Sequence, residues 1–350
     1  MKELVSDILE HLNRNEAVGI AVIVAHQGSS PRSTGAKMIL HEDGSISGSI
    51  GGGILEARVM DEARSLFQNK RLPGLLFYDL TPGDLDTMGM TCGGKVTILL
   101  DLVLPTEQNR KIFLQWQTAI KNRQGCFLLT RIPHNHEAPK NTRRCILDSQ
   151  GIIYGKIPLS PKEEKQLHEK TNTLKTPEVM DLEGALFLVE PSIPPKTLHI
   201  FGAGHVAVPT ADLAARVGFE VYVLDDREAF ASSERFSGAV KPMAVASFEE
   251  VFSGITLGRD DFIVIVTRGH LHDKTVLDKA LKTQAGYIGM IGSRKKRDAI
   301  YTTLLEEGFS QKDLDRVHCP IGLSIGAETP EEIAVSIVAE LITVRTDSKP

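Results

Sequence analysis

The sequence predicts an α/β protein in two parts: an N-terminal mixed α/β domain, then a C-terminal Rossmann-like domain with a doubly wound parallel sheet. Three observations carry this reading. Leu198-His199-Ile200-Phe201 is an apolar strand that runs straight into Gly202-Ala203-Gly204-His205-Val206-Ala207, a Gly-x-Gly-x-x-Ala turn opening a helix. The first glycine permits a tight turn, and the second lets backbone approach a pyrophosphate. The small third residue lets helix pack on strand, and the helix N-terminus offers free N–H groups to an anion. Asp225 closes a second apolar strand about twenty residues further on, where a carboxylate meets a ribose hydroxyl. Finally, strands and helices alternate from residue 197 to the end, which is the pattern of a parallel sheet covered on both faces.

The elements follow in order. Ile8, Leu9 and Leu12 recur at helical spacing over residues 6–13, and the Val, Ile and Ala run of 18–25 reads as a strand. A turn-rich stretch leads to a strand at 36–41. Glu42-Asp43-Gly44 then closes a hairpin, because Asp-Gly supplies the positive φ angles such turns need. The Gly- and Ser-rich run 45–53 precedes a helix over 54–68. Strands are expected at 75–80, 96–103, 126–131 and 143–147, with a helix over 108–121. The polar, Lys- and Glu-rich run 158–179 reads as one exposed helix and loop, followed by a strand at 185–190. Pro191, Pro194 and Pro195 then form a stiff spacer, placing the domain boundary between 1–190 and 191–350. Beyond it, strands are expected at 197–201, 219–224, 261–267 and 287–291. Helices are expected up to residue 217 and over 274–281, 295–308 and 331–344. Thr329 with Glu332 makes a capping box, and Pro330 suits the first helical position.

Composition narrows the function. The chain has 350 residues, 41% hydrophobic and 24% charged, with net charge −5, five Tyr and one Trp. Its mild acidity and lack of a basic, aromatic-studded stripe argue against a nucleic-acid partner. No apolar run is long enough to span a bilayer, and Met1-Lys2-Glu3-Leu4 does not open a signal peptide, so a cytoplasmic protein without a membrane partner is expected. The four cysteines form no CxxC pair, so neither a zinc knuckle nor a disulfide scaffold is indicated.

Several clusters are candidates for chemistry. Ser49-Ile50-Gly51-Gly52-Gly53 lies at a helix start with Glu56 in the first turn. Consecutive glycines suit close backbone approach to an anion, and a tight crossing of packed elements explains them equally well. Ser30, Arg32 and Lys37 put a hydroxyl and two cations in and after a turn; they suit a phosphate or carboxylate, or form a plain surface turn. Cys92, followed by Gly93 and Gly94, sits in an irregular loop where backbone N–H groups lower a thiol pKa. Cys126 and Cys145 instead sit within apolar runs and read as buried core residues. His270, His272 and Asp273 follow a sheet strand, whose carboxyl end faces the ligand crevice; the alternative is a helix capped by Asp273. Ser293 and Arg294 begin a run of cations through Arg297 at another helix start. An anionic ligand there would offset the helix dipole, and solvated lysines are the alternative. His134 and His136, in a proline-flanked loop, give little support for a metal.

Taken together these blocks resemble the XdhC/CoxI family, accessory proteins of molybdenum hydroxylases such as xanthine dehydrogenase. The resemblance rests on Gly28-Ser29-Ser30-Pro31-Arg32, Gly35-Ala36-Lys37-Met38, Gly48 through Glu56 and Gly89-Met90-Thr91-Cys92-Gly93-Gly94 in the first half. In the second half it rests on Phe201 through Val206, Asp225-Asp226-Arg227, Tyr287 through Arg294, Pro320-Ile321-Gly322-Leu323 and Thr329 through Ile337. It implies binding of molybdenum cofactor (molybdopterin), its protection while a cysteine desulfurase supplies sulfur, and its delivery to an apo-hydroxylase, with a homodimer expected by analogy. The implied cofactor-binding residues are Ser30, Arg32, Lys37, Gly51, Gly52, Gly53, Glu56, Gly93 and Gly94 in the first half. Gly202, Gly204, His205, Asp225, Arg227, Ser293 and Arg294 complete the set, the strand-end position adds His270 and Asp273, and Cys92 is the candidate for sulfur or molybdenum contact. Members often carry cysteine directly after the third glycine of the Gly-Gly-Gly block, where this chain has Ile54, so Cys92 would act without a second thiol. Two other readings remain: an NAD(P)-dependent oxidoreductase using Gly202, Gly204 and Asp225 with His270 as acid/base, and a chaperone acting through protein contacts alone.

Overall fold

The structure, a computed structural model, describes residues 2–28, 32–68, 73–80, 94–133, 143–148, 151, 153–155, 157–171, 174–252 and 256–347. The chain divides into two compact units, Met1–Pro194 and Pro195–Pro350. The first unit contains α1 (Lys2–Asn13), β1 (Val18–Gly28), β2 (Lys37–His41), β3 (Ile46–Gly48), α2 (Gly53–Phe67), β4 (Gly74–Leu80) and β5 (Gly94–Val103). It continues with α3 (Glu107–Lys121), β6 (Cys126–Arg131), β7 (Arg144–Asp148), β8 (Ile153–Gly155), α4 (Pro161–Thr171), β9 (Glu178–Leu182) and β10 (Ala185–Ser192).

Its strands form two five-stranded antiparallel sheets, ordered β3-β2-β1-β5-β4 and β8-β7-β6-β10-β9. The period-2 alternation of β1 explains the layering. Val18, Ile20, Val22 and Val24 enter a core with Leu9 and Leu12 of α1 and Phe113 and Trp116 of α3. Leu128 of β6 and Leu188 of β10 close that core from the second sheet. Ala21 and Ile23, on the other face of β1, pack on Leu55, Val59 and Leu66 of α2. The far face of the second sheet packs on Leu167 of α4 through Leu129, Cys145 and Phe187. Cys126 and Cys145 are buried, and burial pushes their thiols up to about 11 and about 12. Buried ion pairs join the two sheets. Lys37 Nζ lies 2.7 Å from Glu190 Oε1, and Asp101 is held between Arg143 (2.7 Å) and Arg144.

The second unit contains β11 (Thr197–Phe201), α5 (Ala207–Arg216), β12 (Glu220–Asp225), β13 (Val240–Ala244), β14 (Asp261–Ile265) and α6 (Gly269–Leu281). It ends with β15 (Tyr287–Met290), α7 (Arg294–Glu306), α8 (Gln311–Leu314), β16 (Val317–His318) and α9 (Pro330–Asp347). Its sheet is six-stranded and wholly parallel, ordered β13-β12-β11-β14-β15-β16. Counted from its own first strand this is 3-2-1-4-5-6, the Rossmann order. Both faces are covered: α5 and α9 pack on one through Ala211, Ala214, Ile337 and Leu341, while α6 and α7 pack on the other through Val276, Leu277, Ile300 and Leu304. The capping box forms, with Thr329 N–H donating to Glu332 Oε2 (3.1 Å) and Glu332 N–H to Thr329 Oγ1 (3.2 Å).

The strands that periodicity did not anticipate are short or placed at edges. β13 carries Pro242, which lacks a ladder donor and is tolerated because β13 is an edge strand. β9 follows a polar helix and buries only alternate residues, so its signal merged with the loop. Among the described residues no helix is long and apolar enough to cross a membrane.

Candidate functional site

The carboxyl end of the parallel sheet gathers most of the second-half candidates. The β11–β14 boundary is the point where strand order reverses, which is where the loops leaving a parallel sheet generally diverge and leave a ligand crevice. Gly202 makes the turn at φ 103°, and a Cβ there would lie 2.5 Å from Val266 O. Only glycine fits, because the chain leaving β11 presses on the chain leaving β14. Gly204 has open space where a Cβ would stand, and His205 is exposed.

Asp225 sits within the protein instead of facing the crevice. It is 1% exposed, and Oδ2 accepts the Ala203 N–H at 2.7 Å. Arg227 donates its backbone N–H (2.9 Å) and Nε (2.8 Å) to Oδ1 and Nη2 (2.8 Å) to Oδ2. Burial alone would raise this carboxyl, but the Arg227 side chain and the Ala203 and Arg227 amides outweigh it and bring it down to about 2. Arg235 Nη1 donates to Ala203 O at 2.8 Å, so the glycine turn is gripped through both its N–H and its C=O. The Arg227 guanidinium lies 3.6 Å from the centre of the Phe230 ring.

Strand alternation accounts for this placement. Val221 and Val223 face α5, so Asp225 shares their side and meets the glycine turn; Asp226 has the opposite parity. Asp226 Oδ2 accepts from Arg268 Nη2 at 2.7 Å, at the start of α6, while its Oδ1 is buried without a hydrogen-bond partner. Sequence reasoning selected the first carboxylate of the Asp225-Asp226 pair. The parity of β12 is the signal that distinguishes the second.

Asp273 is fully buried inside α6 and does not cap it; Arg268 occupies the N-cap position. Asp273 Oδ1 accepts from the Thr267 N–H (3.1 Å) and hydroxyl (2.5 Å), and Oδ2 pairs with Lys296 of α7. One cation of the α7 first turn therefore has an internal counter-charge. Ser293 caps α7 by accepting the Lys296 N–H, and Ser293, Arg294 and Lys295 are exposed. Between α6 and α7 lies a cleft of about 740 Å³. His270, Lys274, Ser293, Lys295 and Lys296 supply its polar wall, and Leu271, Ala299 and Ile300 its apolar one. The structure thus brings His270 and Ser293 to one cleft, with Asp273 behind it. Lys274 and Leu271 (74% exposed) are lining residues that the sequence did not single out.

In the first unit the triple-glycine turn is occupied by the protein's own carboxylate. Glu56 Oε1 accepts from Ser49 Oγ (2.8 Å) and from the N–H groups of Ile50 (2.9 Å), Gly51 (3.2 Å) and Gly52 (2.9 Å). Gly51, Gly52 and Gly53 have φ of 130°, 76° and 62°, the left-handed conformation that aims successive amides inward. Partial burial opposes ionisation of Glu56, but the Ser49 hydroxyl and these amides hold its carboxyl below the ordinary range. Lys37 is buried against Glu190 and Trp116 and does not face solvent, whereas Arg32 is exposed. Gly94 opens β5, paired with Gly28 and Leu80. Ser30, Cys92 and Gly93, with His134 and His136, lie outside the described residues.

Residues 198–341 match the XdhC Rossmann domain, and residues 11–79 match the XdhC and CoxI family; together they span more than half of the chain. The chain belongs to the XdhC and CoxI family. Among its relatives is a Bacillus subtilis (strain 168) protein named as a probable xanthine dehydrogenase subunit, 29% identical over 95% of this chain and 94% of that protein. PaoD of Escherichia coli K12, named a molybdenum cofactor insertion chaperone, is 22% identical over 96% of this chain and 86% of PaoD. The uncharacterized Escherichia coli K12 protein YqeB is 24% identical over 96% of this chain, which spans only 45% of YqeB. A crystal structure described as a xanthine dehydrogenase from Bacillus halodurans superposes with a TM-score of 0.77. It is 25% identical, and the match covers 99% of this chain and 96% of that one. In XdhC-family terms, the crevice and cleft above lie in the Rossmann domain and the Glu56-filled turn lies in the XdhC/CoxI segment.

Proposed function

We propose that this protein is a molybdenum cofactor accessory factor that holds the cofactor as cargo and delivers it to an apo-hydroxylase of the xanthine dehydrogenase type. The observation that carries the reading is the cleft between α6 and α7. Its walls combine the exposed cation of Lys295, with Lys274 and Lys296 paired to Glu307 and Asp273, and apolar Leu271 and Ile300. A pterin phosphate needs both, a charged rim for the anion and a dry wall for the ring system. Asp226, beyond the neighbouring strand, has a buried Oδ1 that accepts no hydrogen bond and has the Arg227 Nε 4.0 Å away, and it fits an N–H donor of such a ring. The relatives' names, an insertion chaperone and a component of xanthine dehydrogenase, support the same role.

In this reading the chain's residues bind and shield. Lys295 and Ser293 take the phosphate, and Gly204 admits ligand close to backbone. Cys92 provides a thiolate toward sulfur or molybdenum, a cysteine desulfurase supplies the sulfur, and a cytoplasmic homodimer is the working form. The test is to mix the protein with released molybdenum cofactor, gel-filter it, and assay molybdenum and pterin in the protein peak. Co-elution of both in equal amount is expected, with less retained by Lys295→Glu and by Cys92→Ala. Absence of both from the peak of folded protein would overturn the reading.

The 3-2-1-4-5-6 strand order and the spare acceptor on Asp226 favour one second reading, dinucleotide binding at the same crevice. Saturable NADH fluorescence that Asp226→Asn weakens would support it.

A further inference from the structure

The loop between β16 and α9 presents apolar side chains to solvent while its backbone is fixed from below. Ile321 enters the core beside α9, and its N–H donates to Met290 O (3.1 Å) at the end of β15. Gly322 N–H donates to Oε2 of the buried Glu340 (3.1 Å), whose Oε1 accepts the Tyr287 hydroxyl and lies 3.1 Å from His318 Nδ1. Leu323 is bonded twice to Ser336 of α9: its N–H donates to Ser336 O (3.2 Å), and its O accepts from Ser336 Oγ (2.6 Å). Gly322, at φ 95°, permits this approach, since a Cβ there would stand 2.3 Å from Ser336 Oγ.

A loop pinned in this way is not free to turn its side chains inward. Leu323 is 41% exposed, Ile325 53% and Val335 50%. Leu323 is bonded to the residue after Val335, and Ile325 follows two residues on, so the three side chains make one patch. Apolar residues scattered singly over a surface need no explanation, but a contiguous group held out rigidly marks a contact surface. Its rim is acidic. Glu331 and Glu332 stand four and three residues before Val335 and share its face of α9, and Glu328 precedes them. Glu332 caps the helix, and among the described residues Glu328 and Glu331 enter no ion pair. The patch also adjoins the ligand end of the sheet. Ile321 reaches the carboxyl end of β15, whereas Arg345, near the other end of α9, donates to Val217 O (3.0 Å) just past the end of α5. The two helices therefore run in the same direction, and both begin at the rim that carries the Gly202–Gly204 turn.

We infer that Leu323, Ile325 and Val335, rimmed by Glu328 and Glu331, dock a partner protein whose contact face is apolar with a basic rim; resting on the delivery role proposed above, that partner is the apo-hydroxylase that receives the cargo. Charge selects this occupant. In a two-fold dimer the same patch meets itself, which sets Glu328 and Glu331 against their own copies. An anionic lipid surface or a nucleic acid is repelled in the same way, whereas cations on a partner's rim are attracted and steer its approach. Position selects it as well. A partner seated beside the glycine turn covers the rim from which cargo leaves, so transfer proceeds without release into water. Glu340 and Ser336 are positioning residues: they hold the loop and touch no partner.

The test uses the full chain and the purified apo form of the xanthine dehydrogenase-type hydroxylase from the same cells, immobilised on a sensor surface. Wild type should bind it, and Ile325→Asp should weaken binding about tenfold or more. The double variant Glu328→Lys, Glu331→Lys should weaken it more at low salt than at high salt, because exposed charges are screened by salt. Both variants lie on the surface, and each should keep the wild-type circular dichroism, sedimentation mass and cofactor retention on gel filtration. Wild-type affinity in folded Ile325→Asp would overturn the surface, as would no binding by the wild type. A lower sedimentation mass in Ile325→Asp would also overturn it, by giving the patch to a second copy of the chain. Cofactor retention separates this inference from the reading beneath it. Cofactor retained by the wild type with hydroxylase binding unchanged in Ile325→Asp removes the surface alone. No cofactor retained, with docking lost in Ile325→Asp, removes the delivery role and leaves the surface.

Discussion

Both units of this protein bury carboxylates, but they use them differently. In the first unit Asp101 and Glu190 sit on strands of one sheet or the other, and their partners Arg143, Arg144 and Lys37 reach them across the gap between sheets. In the second unit Asp225 and Asp273 sit at the carboxyl end of one sheet, and their partners are the turns and helix starts around the crevice. The first arrangement fixes layers to each other. The second fixes loops before any ligand arrives, so the amides and cations around the crevice need little reorganisation on binding. Burial of a charge therefore does not by itself mark a site; the element that carries its partner does.

The comparison breaks most visibly at Asp101. Asp101→Asn removes the hydrogen-bonded counter-charge of two buried guanidiniums and leaves Arg144 only the Glu190 charge, and removing one member of such a group costs about 3–5 kcal/mol. Urea denaturation should show a loss of that size, while cofactor or NADH binding by any protein that remains folded is unchanged. Next comes Gly202→Ala. At φ 103° with Val266 O 2.5 Å from the new Cβ, it should cost about 2–3 kcal/mol. Gly204→Ala meets no atom within 4 Å and should alter stability by no more than about 0.5 kcal/mol. If Gly204 is the point of close ligand approach, that same variant should lose binding, separating the two glycines into a structural and a ligand-facing one.

The contrast also explains what could be read without coordinates. The Rossmann unit was legible because each of its parts has a local signal: β11 into the glycine turn, alternation through α7, and the Thr329–Glu332 cap. The clusters Ser293–Arg297 and His270–Asp273 were legible as neighbours of strand ends. The partner of each charge was not. Lys37 is separated from Glu190 by most of the first unit, and nothing local marks it as buried. Asp273 reads as a ligand contact, with a helix cap as the alternative, because nothing local shows that the helix begins earlier, at Gly269, and that Lys296 claims the carboxylate. The charged residues at Asp101 and Arg143-Arg144 lie within apolar strand runs, and their mutual contact depends on the pairing of two sheets.

Asp225 sharpens the comparison through pH. Its carboxyl ionises at about 2 in the folded protein, against an ordinary 3.8, so the folded state favours the charged form. The resulting stabilisation, about 2 kcal/mol, is complete above pH 4 and is lost as pH falls through 2. Asp225→Asn should therefore be less stable than the wild type at neutral pH, and the two should converge in acid. A gap that stays constant down to pH 2.5 would mean that the Arg227 and Ala203 contacts stabilise without depending on the charge. Hydrogen exchange at Ala203 should accelerate in the variant, since its N–H loses a charged acceptor.

A smaller effect than that at Asp225 tests whether the first unit is purely architectural. Glu56 fills a turn whose amides are arranged as an anion receptor, so its carboxylate is either a permanent strut or the resident of a site that a stronger anion can take. Glu56→Ala removes the acceptor of four hydrogen bonds, but water reaches this partly exposed turn and replaces most of them, leaving a loss of about 1 kcal/mol. Thermal denaturation with and without added phosphate separates the two roles. If the turn is a receptor, phosphate should restore Tm in Glu56→Ala and do little in the wild type, where the carboxylate already occupies the amides. Equal response of both proteins would mean that the glycines serve only to admit Glu56, and the first unit would then hold no anion at this turn.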